Sequence, residues 1–164
     1  MSVEYGYFVQ TRAELDFGDH GNEAVLKTRL DYIDTMAHMH TAYPGLITDG
    51  RSGRIGYYLI GTPFSTVHLR SALLHDWHCA RGAMLDPVDR RVVRAGADML
   101  FHECLIHSGV GSTKARLMYW AVRLHAFAHR SDRPRDWRRD FVSRDAALEG
   151  SLDAIKAYAW FHCK

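Results

Sequence analysis

Cysteine is scarce in this sequence and shows no pairing pattern. Cys79, Cys104 and Cys163 form an odd, widely spaced set without a CxxC motif. Such a set argues against a disulfide framework and for a reducing compartment. Net charge is also small: 21 Lys and Arg against 19 Asp and Glu leave +2 with histidine neutral. That field is too mild to make nucleic acid the expected partner. No run approaches the roughly 20 apolar residues that cross a bilayer, so membrane insertion is not expected. The opening MSVEYGYFVQ has neither a basic leader nor an apolar stretch, and no secretory signal is expected. Internal repeats and low-complexity segments are lacking as well. The expected setting is a cytoplasm.

What the sequence does have is material for a core. Of 164 residues 47% are hydrophobic, and four Trp, eight Tyr and seven Phe supply large apolar groups. This suits one ordinary domain spanning 1–164, strand-rich over 1–62 and helical over 64–164. Leu26, Thr28, Leu30 and Tyr32 alternate with Lys27, Arg29 and Asp31, the period of a half-buried strand. Residues 54–61 (RIGYYLIG) read as a second strand and residues 2–9 as another. Turns are expected at Gly18 to Asn22, Pro44-Gly45 and Asp49 to Gly53.

After Pro63 the period changes. Leu69, Ala72, Leu73, Trp77 and Ala80 define one face of a helix over 66–81. A second helix is expected from Pro87 to Ser108, capped by Asp86 and ended by Gly109. A third opens at Ser112 or Thr113 and should bury Leu117, Trp120, Ala121, Leu124, Phe127 and Ala128. Residues 130–140 read as a loop, and 143–161 as a helix broken or bent at Gly150. Strands followed by helices predict an α+β fold: a small, mostly antiparallel N-terminal sheet packed against a C-terminal bundle of three to four helices.

The informative residues are polar ones placed where the pattern predicts core. Asp76 falls in the apolar stripe of the first helix, flanked by His75, while His78 points the other way and should be solvated. A buried carboxylate costs several kcal/mol unless paired, hydrogen-bonded or bound to a cation. The second helix is apolar nearly all round over 95–106, with Asp98, His102 and Glu103 as exceptions. Two chemistries suit the set His75, Asp76, Asp98 and Glu103. Asp76, Asp98 and Glu103 could hold a divalent cation, or an oriented histidine could act as general base on water. The plainer alternatives stand beside these. Asp76 could accept backbone N–H bonds, Glu103 could pair with Arg70 or Arg123, Asp98 could pair with Arg94, and Cys79 and Cys104 could be small core residues.

Asp49 opens a glycine-rich stretch, DGRSGRIG, that could admit an anion or cation or simply form a tight turn. No Gly-Lys-Ser/Thr follows, so it is not a phosphate-binding Walker loop. The loop carrying Arg130, Arg133, Arg135, Arg138, Arg139 and Arg144 is interleaved with Asp132, Asp136, Asp140 and Asp145, which fits a salt-bridged loop better than a nucleic-acid surface.

Four strings in order, PGLITDGRS (44–52), SALLHDWHCARG (71–82), RAGADMLFHECLIHSGV (94–110) and ARLMYWAVRL (115–124), resemble a phage and prophage family known as a domain of unknown function, DUF1353. The resemblance covers about residues 24–125 and departs in two places: Gly53-Arg54 replaces a proline, and Cys79 replaces a tyrosine. It implies a phage-encoded accessory protein, a virion- or tail-associated component binding other virion proteins or a host factor. It also implies synthesis in a host cytoplasm. The His-Asp pair facing an Asp on the next helix is similar to secretory phospholipases. That likeness implies His75 as base, Asp76 with Gly50, Gly53 and Gly56 around calcium, and Asp98 as the group orienting His75. The alternative function is therefore a His/Asp-based hydrolase of an ester or cell-envelope substrate, with a divalent cation as a candidate cofactor. Oligomeric state is not readable.

Overall fold

A computed structural model describes residues 6–17, 23–48, 66–128 and 134–162. The strand expected over 54–61, Asp49 with its glycines, and the turn at Gly18 to Asn22 lie outside the described residues. Within them the fold is α+β, with strands first and helices after.

The strands are β1 (Tyr7–Phe8), β2 (Leu15–Phe17), β3 (Ala24–Leu26), β4 (Leu30–Ile33), β5 (Met39–Ala42) and β6 (Ile47–Thr48). They form two three-stranded sheets, ordered β1-β4-β5 and β2-β3-β6, and every pairing is antiparallel. The single strand expected from Leu26 to Tyr32 is thus two, because the chain bends at Thr28 and crosses from one sheet to the other. The alternation survives the bend, since Leu26, Leu30 and Tyr32 all enter the same core. Gly45 makes the turn before β6 at a φ of +92°, where an added Cβ would lie 2.7 Å from the Ala146 Cβ. Glycine is required there twice over, by conformation and by space.

The helices are α1 (Thr66–Gly82), α2 (Pro87–His107), α3 (Ser112–Ala128), α4 (Arg144–Leu148) and α5 (Asp153–His162), with a 3-10 turn at Trp137–Arg139. Asp86 caps α2 as expected: its carboxylate accepts from the Val88 and Asp89 amides, and Pro87 occupies the first turn. Gly109, at φ +85°, follows its end. Gly150, at φ +76°, separates α4 from α5. Helix α2 is central and packs against α1, α3 and α5. Gly96 lets α5 come close, for a Cβ there would sit 2.9 Å from the Ile155 carbonyl oxygen.

Two apolar clusters result. One joins Leu26, Leu30, Tyr32, Trp77, Leu100, Cys104, Ile155 and Tyr158 between the strands and α1, α2 and α5. The other joins Phe101 and Leu105 of α2 to Ala115, Met118 and Val122 of α3. The latter corrects the stripe expected on α3. Ala115, Met118, Ala121 and Val122 face the core, whereas Leu117, Trp120, Leu124 and Phe127 are exposed. The helix carries apolar residues on two faces, and Ala115, Met118 and Val122 are the ones that pack on Phe101 and Leu105 of α2.

Candidate functional site

Helix α1 lies between α2 on one side and β5 on the other, so two of its faces are buried and both contain histidine. His75 points to α2. Its Nε2 is 2.9 Å from Asp98 Oδ1 and its Nδ1 is 3.3 Å from Asp76 Oδ1. A neutral ring has one N–H and cannot donate to both carboxylates, whereas an imidazolium can. Burial disfavours the charged ring, but the charges and hydrogen bonds of Cys79, Asp76 and Asp98 outweigh it and hold the pKa of His75 well above the ordinary histidine value.

Asp98 is fully buried and is held from three directions. His75 donates at 2.9 Å, Arg94 Nε donates at 3.1 Å from one turn earlier on α2, and Arg123 of α3 approaches at 3.5 Å. Burial alone would raise its pKa; His75, Arg94 and Arg123 lower it instead. The pairing with Arg94 expected from sequence is present, while Arg123 meets Asp98 and not Glu103. Asp76 sits at the margin of the same site, where the Thr48 hydroxyl donates to its Oδ2 at 3.2 Å. Its carboxylate is 19% exposed and so not at the centre of the core.

His75 and Asp76 line a cavity of about 380 Å³ together with Thr48, Cys79, Arg94, His125 and Arg139, and Asp98 lies behind His75. Cys79 is the residue that sequence reasoning set aside. Its Sγ is 3.5 Å from His75 Nε2, and its position four residues after His75 on a helix is the signal that places it there. His75, Cys79 and Asp98 bring ligand-type atoms within 4.8 Å of one another, a nitrogen, sulfur and oxygen set of the kind zinc accepts. Both Asp98 oxygens, however, already meet a guanidinium. The set is an ion-pair network in which a cation would compete with Arg94 and Arg123.

Glu103 does not join this site. Five residues beyond Asp98 on α2, it is turned by roughly 140° around the helix axis. There Tyr32 and Tyr158 donate to it at 3.0 and 2.8 Å, and the Thr35 amide and hydroxyl at 3.0 and 3.1 Å. It lines a separate cavity of about 600 Å³ with His102, Tyr119 and Tyr158. The cation set Asp76, Asp98 and Glu103 is therefore not brought together, and Asp49 with Gly50, Gly53 and Gly56 lies outside the described residues. Arg70, the other expected partner of Glu103, donates to the Gln10 carbonyl at 2.8 Å.

His78 also departs from expectation. It is buried against the strand side of α1, its Nδ1 2.8 Å from the Leu74 carbonyl and its ring edge-on to His40 at 5.8 Å. Burial, reinforced by His40, pushes its pKa down to about 3. The sequence places His78 away from the Leu73–Trp77 stripe, but β5 covers that side and leaves it no solvent.

Residues 24–122 match the family described as "Protein of unknown function (DUF1353)". The uncharacterized protein y4iH of Sinorhizobium fredii (strain NBRC 101917 / NGR234) is 26% identical over 117 residues, covering 71% of this chain and 45% of that protein. The chain thus spans less than half the length of the curated relative it matches. No solved structure matches it. Among the described residues no helix is long and apolar enough to cross a membrane. The family match runs from β3 into α3 and contains His75, Asp76, Cys79, Asp98 and Glu103 together; on that extent, the chain belongs to the DUF1353 family.

Proposed function

We propose that the His75 cavity is the centre of a hydrolase acting on an anionic ester. The observation that supports this reading is the 2.9 Å bond from His75 to the buried Asp98 in a ring that also lines an open cavity. Asp98 fixes Nε2 as a donor, which leaves Nδ1 as the nitrogen that can take a proton. Water entering beside Asp76 gives its proton to Nδ1 while its oxygen bonds to the ester carbon. The C–O bond of the leaving alcohol then breaks, and the alcohol takes that proton from the imidazolium. Arg94, Arg135 and Arg139 line the cavity with His125 beside Glu23, Asp76 and Asp140, and these arginines are the groups that would receive a substrate's negative charge. Because the site stabilises the imidazolium, the basic form arises above the ordinary histidine range, and the rate should climb into alkaline pH.

The test is hydrolysis of anionic and neutral p-nitrophenyl esters by the full chain and by His75→Gln. The expected loss is about 10²- to 10⁴-fold, larger on the anionic ester. Equal rates for the two proteins would end this reading. A second reading, a phage-borne component that binds a partner and lacks catalysis, is favoured by Trp160 and Phe161, exposed side by side at the end of α5. A fixed copy number in purified particles would support it.

A further inference from the structure

The outward face of α3 carries four large apolar side chains: Leu117, Trp120, Leu124 and Phe127, which are 52, 56, 60 and 87% exposed. Their spacing of three, four and three residues is that of the a and d positions of two successive heptads. At roughly 100° per residue they fall within an arc of about 80°, opposite the buried Ala115, Met118 and Val122. Such an arc is the narrow seam of a helix pair; a helix lying in a lipid interface presents a broader apolar face.

The flanks of the seam are charged with one sign. Arg116 and Arg123 take the two g positions, Lys114 takes an e position, and the helix contains no aspartate or glutamate. Arg116 and Lys114 make no ion pair among the described residues. In an antiparallel seam a second copy of this helix would set Arg116 against Arg123, a like-charge pairing that opposes self-association. We propose that this face of α3 docks an amphipathic helix of another protein, one with apolar residues at a and d and acidic residues beside them. Trp120 and Phe127 are the anchors, and Arg116 selects the partner by charge.

The experiment titrates the full chain into two labelled three-heptad synthetic helices, both with Leu at a and d, one with Glu and the other with Lys at e and g. Fluorescence anisotropy should show the Glu helix bound at least about tenfold more tightly than the Lys helix. Trp120→Ala and Leu124→Ala should each weaken it by about tenfold or more, with unchanged circular dichroism. Arg116→Glu should shrink the preference for Glu. Any of four results would overturn the proposal: binding of neither helix, equal binding of both, binding of phosphatidylglycerol vesicles in their place, or a self-dimer in sedimentation that Leu124→Ala dissolves.

Discussion

His75 and His78 stand three residues apart on one helix, 5% and 2% exposed, and the fold drives them to opposite charge states. His75 faces Asp98 and Asp76, and the cation is favoured. His78 faces a backbone carbonyl, Trp77 and another histidine, and the neutral ring is favoured. Burial is common to both, so it cannot decide the outcome. What decides it is whether a carboxylate accompanies the ring into the interior. The α2 side of α1 is an ion network built around one aspartate, whereas on the strand side the buried Asp34 carboxylate is held by His40 at 2.9 Å and His78 packs on the His40 and Trp77 rings.

The largest effect should come from removing that aspartate. Asp98→Ala removes the buried carboxylate shared by His75 and the half-buried Arg94 and leaves Asp76 as the one acid beside His75, and a loss of about 3 kcal/mol in urea unfolding is expected. A loss under about 1 kcal/mol would mean that the network is solvated and that the two faces of α1 do not differ as described.

Next comes the acid limb. The folded pKa of His78 is below its unfolded value, so the stability due to its neutral ring is present above about pH 6.5 and is lost as pH falls toward about 3. By pH 4 the loss should reach about 3 kcal/mol. His78→Gln should flatten that limb between pH 6.5 and 4 in thermal melts; an unchanged slope would place the titration elsewhere.

Those two faces show which parts of the molecule the sequence reveals. Helix ends were legible because their signals are local: Asp86 with Pro87 starts α2, and Gly109 follows it. Periodicity misleads where a second neighbour covers a face that the spacing of apolar residues leaves open. His78 is buried because β5 lies on it, and the large residues of α3 point outward because Ala115, Met118 and Val122 are the ones that pack on α2. His75 and Asp98 were found as polar exceptions in apolar stripes and do meet. Glu103 was found by the same rule and does not, since the rule counts positions along α2 and ignores the 140° or so of rotation separating it from Asp98.

A smaller effect with the opposite sign should come from His75→Gln. The folded pKa of His75 is above its unfolded value, so its contribution is full below about pH 6.5 and is lost as pH rises through the raised value. The penalty of the substitution should therefore be greatest in acid and shrink toward alkaline pH, the mirror image of His78→Gln. A penalty independent of pH would show that the ring is neutral in the fold and that Asp98 is held by its arginines alone.

The smallest effect concerns the second carboxylate beside His75. Thr48 donates to Asp76 at 3.2 Å at the rim of the cavity, where Asp76 keeps partial access to solvent. Water can replace that hydroxyl, so Thr48→Val should cost only about 0.5–1.5 kcal/mol. It should also leave the pH dependence attributed to His75 in place, because Cys79, Asp76 and Asp98 together hold the cation on the ring and the substitution removes none of them. If Thr48→Val instead abolished that pH dependence, Asp76 would be the dominant partner. The contrast between the two faces of α1 would then rest on the residue adjacent to His75 rather than on the packing of α1 against α2.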